Sequence, residues 1–345
     1  MPLKGVYILA MKEETIKLFD EQLSRKPNRY PWCQAFIESM WEGHWTPREF
    51  DFHSDIHDFK TELTDEQRDV IKRTLSAIAQ IEVAVKKFWS KLGDNLPHPS
   101  INDLGAVMSH VEVIHNLAYE KLLDVLGLDD VFEENMKLDI IQGRVKYLRK
   151  YNHKYYKDSK KQYIYSLVLF TLFVENVSLF SQFYIINWFF TFNRTLKDTA
   201  KQVAYTAREE TIHAQVGMKL INTLREEYPE YFDNDLEERI ISETLEAFKC
   251  ESEIIDWLLG GYKTEQLDGD VIKEFIKDRF NESLKQIGFK EVFETDKEML
   301  KKSAWFYDEV LANVKTDIFN SRTVNYTKGR YSFSVHEIFG DNENE

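Results

Sequence analysis

The sequence predicts an all-α protein built from long helices packed as a bundle. Prolines stand only at positions 2, 27, 31, 47, 97, 99 and 229, so residues 100–228 and 230–345 contain none. Because proline breaks the interior of a helix, stretches of this length without proline favour helix. No strand pattern of comparable length interrupts them.

The first predicted helix begins at Thr64, because the four residues from Thr64 to Gln67 form a capping-box motif. Apolar residues then follow at helical spacing to about Gly93. The remaining helices are predicted over roughly 101–126, 131–154, 161–190, 194–226, 236–259, 270–286 and 296–318.

The composition limits the classes of protein that this chain can represent. With 345 residues, 43% of them hydrophobic, and no linker rich in Pro, Gly or Ser, it predicts one large domain. A net charge of −14 disfavours nucleic acid as a partner. Cys33 and Cys250, the only cysteines, are too few for a disulfide framework, and no signal-peptide pattern opens the chain. We therefore expect a reducing compartment, the cytoplasm.

Residues 163–192 are apolar enough to raise the possibility of a membrane span. Glu175 and Asn176 stand in the middle of this stretch, where a charge would be costly in lipid, so a buried helix of a bundle is the favoured interpretation. A buried glutamate needs a partner such as a metal ion, because an isolated charge in a protein core is strongly unfavourable.

Two Glu-x-x-His motifs occur, one at Glu112 and His115 and the other at Glu210 and His213. At a spacing of three residues both side chains fall on one face of a helix, close enough to share a metal ion. Each motif alone is weak evidence, because about one such match is expected by chance.

The complete pattern is much more specific, since single glutamates on two other predicted helices, Glu82 and Glu175, accompany the two motifs. One glutamate from each of two helices and a Glu-x-x-His from each of two others is the di-metal arrangement of ferritin-like bundles. Such oxygen-rich ligation suits iron or manganese. The predicted fold is therefore a ferritin-like four-helix bundle core with additional flanking helices.

With these motifs the chain resembles the small subunits of class I ribonucleotide reductases over most of its length. Tyr119 lies seven residues after Glu112, where that family has its radical tyrosine. Trp45, in the segment 44–51, resembles the tryptophan ahead of the first bundle helix, and residues 207–213 are similar to the motif around the last two ligands. Residues 325–329 and 341–345 resemble the tail of that family.

The resemblance implies a subunit whose dinuclear metal cofactor generates and stores a one-electron oxidant. This oxidant starts reduction of ribonucleoside diphosphates to deoxyribonucleotides in a large catalytic subunit. Residues 1–320 would form the helical domain and residues 321–345 a tail that docks on the large subunit, and a homodimer is expected. Trp45, Glu209 and His115 would form a relay that Tyr326 continues, although Tyr326 could be only a docking anchor and Trp45 and Tyr119 only core aromatics.

Two positions depart from the family pattern. Glu82 stands where the family most often has aspartate, which the resemblance links to manganese-containing variants. With Tyr119 retained, the chain looks most similar to the dimanganese subgroup called class Id, in which the metal pair itself stores the oxidant; di-iron and mixed manganese/iron pairs remain alternatives. Glu209 replaces an aspartate of the relay, and its extra methylene has to be accommodated.

Two rival functions share the predicted ligands. A ligand-binding oxidase or hydroxylase that acts alone also has glutamate first, but it uses a cross-linking tyrosine five residues before its third carboxylate, where this chain has Phe170. A ferritin-like metal store is usually a shorter chain and has no use for Trp45 or a long tail. Either rival predicts normal function after deletion of residues 321–345.

Overall fold

Residues 16–311 are described in a computed structural model, apart from the side chains of 82–85. Throughout this range the chain is helical or irregular and contains no strand, which confirms the all-α prediction. The α-helices are α1 (Trp32–Glu42), α2 (His53–His57), α3 (Asp65–Trp89), α4 (Leu92–Asn95), α5 (Pro99–Leu126), α6 (Asp129–Asn135), α7 (Asp139–Leu148), α8 (Ser159–Leu169), α9 (Phe180–Thr191), α10 (Lys197–Glu227), α11 (Asn234–Leu259), α12 (Gly269–Gln286) and α13 (Lys297–Trp305). Short 3-10 helices occupy Pro47–Glu49, Arg149–Asn152 and Pro229–Tyr231, and π-helices occupy Asp58–Glu62, Phe170–Ser178 and Phe306–Val310.

The predicted start of α3 is confirmed in detail. The Thr64 hydroxyl accepts a hydrogen bond from the Gln67 amide at 3.3 Å, and the Gln67 side chain accepts one from the Thr64 amide at 3.0 Å. This reciprocal pair satisfies two amides that have no partner inside the helix. The helix then runs without interruption to Trp89.

Other predicted boundaries differ from the structure. The helix predicted over 131–154 is two helices, α6 and α7, followed by a 3-10 turn. The long helix predicted over 161–190 is divided by the π-helix Phe170–Ser178, called here the π segment, because periodicity does not distinguish i→i+4 from i→i+5 hydrogen bonding. The sequence analysis also did not predict α1.

The centre of the fold is formed by α3, α5, the π segment and α10. Helix α3 packs along α5, while α10 packs against the π segment and α9. The stretch Ser159–Thr191 is long and apolar enough to cross a membrane, but 94% of an apolar 18-residue part of it is buried inside the protein. That burial agrees with the prediction of a core helix.

The amino-terminal end of α10 is capped from a distant part of the chain. Its first residues have no side-chain cap of their own, and Leu196 before them is in the left-handed conformation. Instead the buried carboxylate of Asp55 in α2 accepts hydrogen bonds from the amides of Asp198 at 3.1 Å and Thr199 at 2.6 Å. An acidic cap at this position also complements the helix dipole. It anchors the helix that carries Glu210 and His213.

Candidate metal centre

Four of the predicted ligands converge in the core from three elements. Glu112 comes from α5, Glu175 from the π segment, and Glu210 and His213 from α10. Each offers one ligand atom, and these atoms all lie within 4.8 Å of one another. All four side chains are at most 1% exposed.

The donor atoms face one another without satisfying one another. His213 Nδ1 lies 2.8 Å from Glu112 Oε1, 3.4 Å from Glu210 Oε2 and 3.5 Å from Glu175 Oε2. None of these contacts has hydrogen-bond geometry, and among the described residues neither His213 nitrogen nor either Glu210 carboxylate oxygen has a hydrogen-bond partner. Buried polar atoms without partners are costly. Convergent carboxylate and imidazole lone pairs of this kind fit divalent metal ions.

His115 belongs to the same cluster. Its Nδ1 lies 3.0 Å from Glu210 Oε1 and 3.3 Å from Glu112 Oε2. Its Nε2, on the opposite edge of the ring, lies 2.7 Å from Glu209 Oε2. The imidazole is thus oriented so that one nitrogen points at the carboxylates and the other at Glu209, which is the usual arrangement of a metal-binding histidine and the carboxylate that orients it.

The same Glu209 oxygen reaches Trp45. The indole Nε1 donates a hydrogen bond to Glu209 Oε2 at 2.8 Å, and the indole ring stacks beside His115 with the ring centroids 6.2 Å apart. Trp45 is 1% exposed. The extra methylene of Glu209 is accommodated, because a single carboxylate oxygen contacts both partners.

Three further predicted residues are placed with less detail or not at all. Tyr119 lies in α5, one turn beyond His115, and is 2% exposed. The backbone of Glu82 lies within α3, but its side chain is outside the described residues. Tyr326 is outside them altogether.

The electrostatics of the cluster follow from burial and close carboxylates. Burial disfavours charged imidazole, yet the surrounding carboxylates outweigh it and raise the pKa of both His115 and His213 well above the usual range. Burial and the neighbouring Glu210 charge raise the pKa of Glu175. Burial also acts to raise the pKa of Glu210, but the close approach of the Glu175 carboxyl group and the two imidazoles prevails and holds it well below its usual value. A metal ion bound here would have to displace protons.

Trp89 is a residue of the site that the sequence analysis did not identify. Its indole Nε1 donates a hydrogen bond to Glu175 Oε1 at 2.7 Å, and its side chain is fully buried. Trp89 stands seven residues after Glu82, two turns along α3, so that this spacing could have pointed to it. Phe170, whose ring stacks on Phe88 with centroids 3.8 Å apart, also lies 5.4 Å from the Trp89 ring.

Comparison with known proteins agrees with this architecture. A family model described as ribonucleotide reductase, small chain, matches residues 23–299. The ribonucleoside-diphosphate reductase subunit beta of Halalkalibacterium halodurans is 21% identical over 306 residues, which cover 87% of this chain and 87% of that one.

Two solved structures show the same fold. The ribonucleotide reductase R2 subunit from Clostridium botulinum matches with a TM-score of 0.71 at 19% identity, covering 81% of this chain and 88% of that chain. An R2-like ligand-binding oxidase with a reconstituted Mn/Fe cofactor matches with a TM-score of 0.65 at 19% identity, covering 76% and 94%. At 19% identity these two matches show only the fold. The family model shows the family, because it matches most of the chain. The chain therefore belongs to the family of class I ribonucleotide reductase small subunits, oxidoreductase components that work with a large subunit.

Proposed function

We propose that two metal ions are bound in the core by four carboxylates and two imidazoles, those of Glu82, Glu112, Glu175, Glu210, His115 and His213. The observation that carries this proposal is the set of four buried ligand atoms within 4.8 Å of one another. Buried carboxylate oxygens without hydrogen-bond partners give the second argument, because a metal ion would satisfy them. Redox-active metal ions at this site would supply the one-electron oxidant that starts ribonucleotide reduction.

The metal that we propose is manganese, as in the dimanganese class Id subgroup. The support is Glu82 at the first ligand position together with the retained Tyr119, and the oxygen-rich donor set suits manganese as well as iron. In this proposal Tyr119 stays reduced and acts as a buried neighbour of the site. Di-iron and mixed manganese/iron pairs are the alternatives that the metal analysis has to separate.

Trp45, Glu209 and His115 are proposed as the relay between the site and the surface. Their support is the pair of contacts at Glu209 Oε2, 2.8 Å from the Trp45 indole nitrogen and 2.7 Å from His115 Nε2. When Trp45 is oxidised, its Nε1 proton becomes acidic, and Glu209 Oε2 is the acceptor already in place. Tyr326 is proposed as the next residue of the relay.

We also propose a domain organisation and a set of partners. Residues 1–320 form the helical domain, and residues 321–345 form the tail that docks on the large subunit. The protein acts as a homodimer in the cytoplasm, without a membrane or a nucleic acid as partner. Support comes from the family membership and from the similarity of 325–329 and 341–345 to the tail of the family.

The proposal is tested by electron paramagnetic resonance of the protein assembled in cells, with metal content measured on the same sample. A multiline signal from a mixed-valent manganese pair is expected. A narrow organic-radical doublet with iron would transfer the working oxidant to Tyr119 and withdraw manganese. A protein that binds no metal pair would overturn the site itself.

The relay is tested separately with W45F, which keeps a buried ring but removes the indole donor to Glu209. We expect unchanged metal content and loss of deoxynucleotide formation with the large subunit. W305F is the matched control, because Trp305 donates its indole hydrogen bond to Tyr184, far along the chain from the relay. Equal activity of W45F and the wild type would remove Trp45 from the relay.

A second candidate function is a ligand-binding oxidase that acts alone, favoured by the similarity to the R2-like oxidase. Phe170 counts against it, because a phenylalanine ring cannot form the tyrosine cross-link of those oxidases. Deletion of residues 321–345 separates the two functions. The reductase function predicts loss of binding to the large subunit with intact metal content, whereas the oxidase function predicts no change.

A further inference from the structure

The π segment carries Glu175. A π-helix is less favourable than an α-helix and occurs mostly as a short insertion at functional sites. Here it extends over Phe170–Ser178 between two regular helices, α8 and α9. Contacts from other elements have to hold a backbone of this kind in place, since its own hydrogen bonds do not favour it over α-helix.

Arg279 of α12 supplies such contacts at the residue that follows Glu175. Its Nε donates a hydrogen bond to the Asn176 backbone carbonyl at 2.7 Å, and a terminal nitrogen donates to Asn176 Oδ1 at 2.6 Å. The guanidinium group also lies 3.3 Å from the centroid of the Phe180 ring, and Arg279 is only 7% exposed. The planar fork of arginine allows two simultaneous hydrogen bonds, which the single ammonium group of lysine cannot reproduce with the same geometry.

The surroundings of Arg279 restrict its own movement. Ser283, one turn further along α12, donates its hydroxyl to the Arg279 carbonyl at 2.6 Å and accepts a hydrogen bond from the Asn176 side-chain amide. The phenol of Tyr307, in the π-helix Phe306–Val310, lies close to the guanidinium group. Asn176 is therefore held at its carbonyl, its side-chain oxygen and its side-chain amide.

The far end of the π segment is held independently by a second buried arginine. Arg144 of α7 donates to the Ser178 carbonyl and, at 2.9 Å, to Gln182 Oε1. It is balanced by Glu251, which lies 3.2 Å from its Nε. Because Arg144 acts three residues away from Glu175 and Arg279 only one, a change at Arg279 should affect the ligand most directly.

We propose that Arg279 is a positioning residue for Glu175, because it fixes the backbone at Asn176 and so directs the preceding carboxylate towards Glu112, Glu210 and His213. The inference rests on the proposed function in one respect, namely that Glu175 is a metal ligand. Arg279 lies on α12, which carries none of the proposed ligands, so the Glu-x-x-His motifs could not have identified it. Trp89 contacts the carboxylate itself, because its indole Nε1 donates a hydrogen bond to Glu175 Oε1.

The experiment compares R279M and R279K with the wild-type full-length protein. Two quantities are measured: amide hydrogen exchange at residues 172–179 in metal-free protein, and the anaerobic dissociation constant for Mn(II) with the spectrum of the bound ions. R279M should speed exchange in this segment by about tenfold or more. It should also weaken Mn(II) binding by about 10- to 100-fold, the range typical of residues that orient metal ligands. The spectrum should change from that of a spin-coupled pair towards that of isolated ions, and R279K should recover only part of each effect.

R225M is the matched control. Arg225 is also partly buried and packs its guanidinium group on aromatic rings, 4.5 Å from Phe232 and 4.7 Å from Phe289, at the other end of α10 from its capped terminus. If R279M and R225M change exchange and Mn(II) binding to the same extent, or if R279M changes neither, Arg279 is not a positioning residue. If wild-type protein binds no Mn(II) pair, the proposed metal site fails, while the exchange data still decide whether Arg279 holds the segment.

Discussion

The metal ligands on α5 and α10 are presented by regular helices, whereas Glu175 is presented by a π-helix. On α5 and α10 a spacing of three residues is enough to bring a glutamate and a histidine to one face. At Glu175 the backbone geometry depends on Arg279, Arg144 and the close approach of α10. The comparison indicates that one side of the site is determined by local sequence and the other by tertiary contacts.

The largest effect on metal affinity is expected from E210A, a change in α10, one of the two regular helices that carry ligands. The Glu210 carboxylate lies close to both imidazoles, 3.0 Å from His115 Nδ1 and 3.4 Å from His213 Nδ1. Its removal would therefore take away a ligand next to both histidines. Mn(II) or Fe(II) affinity should fall by more than about 100-fold, beyond the range for residues that only orient ligands. Metal analysis after desalting measures this loss, and E226A, an exposed change on the same helix, should bind metal normally. An E210A protein that keeps its metal pair would contradict the ligand assignment.

The second-largest effect is expected from G217A, which tests the packing of α10 against the π segment. Gly217 lies on α10 one turn beyond His213, and a Cβ there would collide with the side chain of Thr171 in the π segment. We expect a loss of about 1–3 kcal/mol in the free energy of unfolding, as for overpacked cores. Metal affinity should fall as well, because Thr171 lies one turn before Glu175.

Chemical denaturation with and without metal measures both effects of G217A. G143A is the control, since open space surrounds Gly143 in α7 and alanine there should stabilise the helix by up to about 1 kcal/mol. Adding T171A to G217A should restore part of the loss. If the double variant is no better than G217A, the collision is not the cause.

A smaller effect is expected from W89F, which removes the hydrogen bond to Glu175 but keeps an aromatic ring in the core. Glu175 would lose the donor that holds its Oε1, so metal affinity should fall by about tenfold. A chelator competition assay measures it, with W41F as the control because Trp41 is 61% exposed. Wild-type affinity in W89F would mean that the arginine contacts alone position the ligand.

The smallest effect is the pH dependence of the metal-free protein. The pKa values of His115, His213 and Glu175 are all raised in the fold, so these groups bind protons more tightly folded than unfolded. The contribution of the two histidines to stability is fully present below the unfolded histidine pKa of about 6.5 and is lost as the pH rises towards their raised pKa values, whereas the contribution of Glu175 already starts to fall above the unfolded glutamate pKa of about 4.3. Thermal unfolding of metal-free protein between pH 6 and about pH 9 should show a falling midpoint. Metal-loaded protein should lose this dependence, because the ligands are then deprotonated; equal slopes in both forms would contradict the assignment.

Much of this protein could be predicted from its sequence, because the relevant signals are local. The absence of proline, the capping box at Thr64 and the two Glu-x-x-His motifs depend on hydrogen bonding and side-chain direction within a few residues. The helical class and the small-subunit family followed from them and are confirmed. The convergence of Glu112, Glu175, Glu210 and His213 also agrees with the pattern that suggested them as ligands.

Other features were decided only by the tertiary structure. The break at Phe170–Ser178, the capping of α10 by Asp55 and the hydrogen bonds of Trp89, Arg279 and Arg144 join residues far apart in the chain. No periodicity within one helix encodes such pairs, since each depends on how two elements pack. A helix is specified by its neighbours along the chain, whereas a π-helical ligand segment buried in a core is specified by the side chains that fold against it.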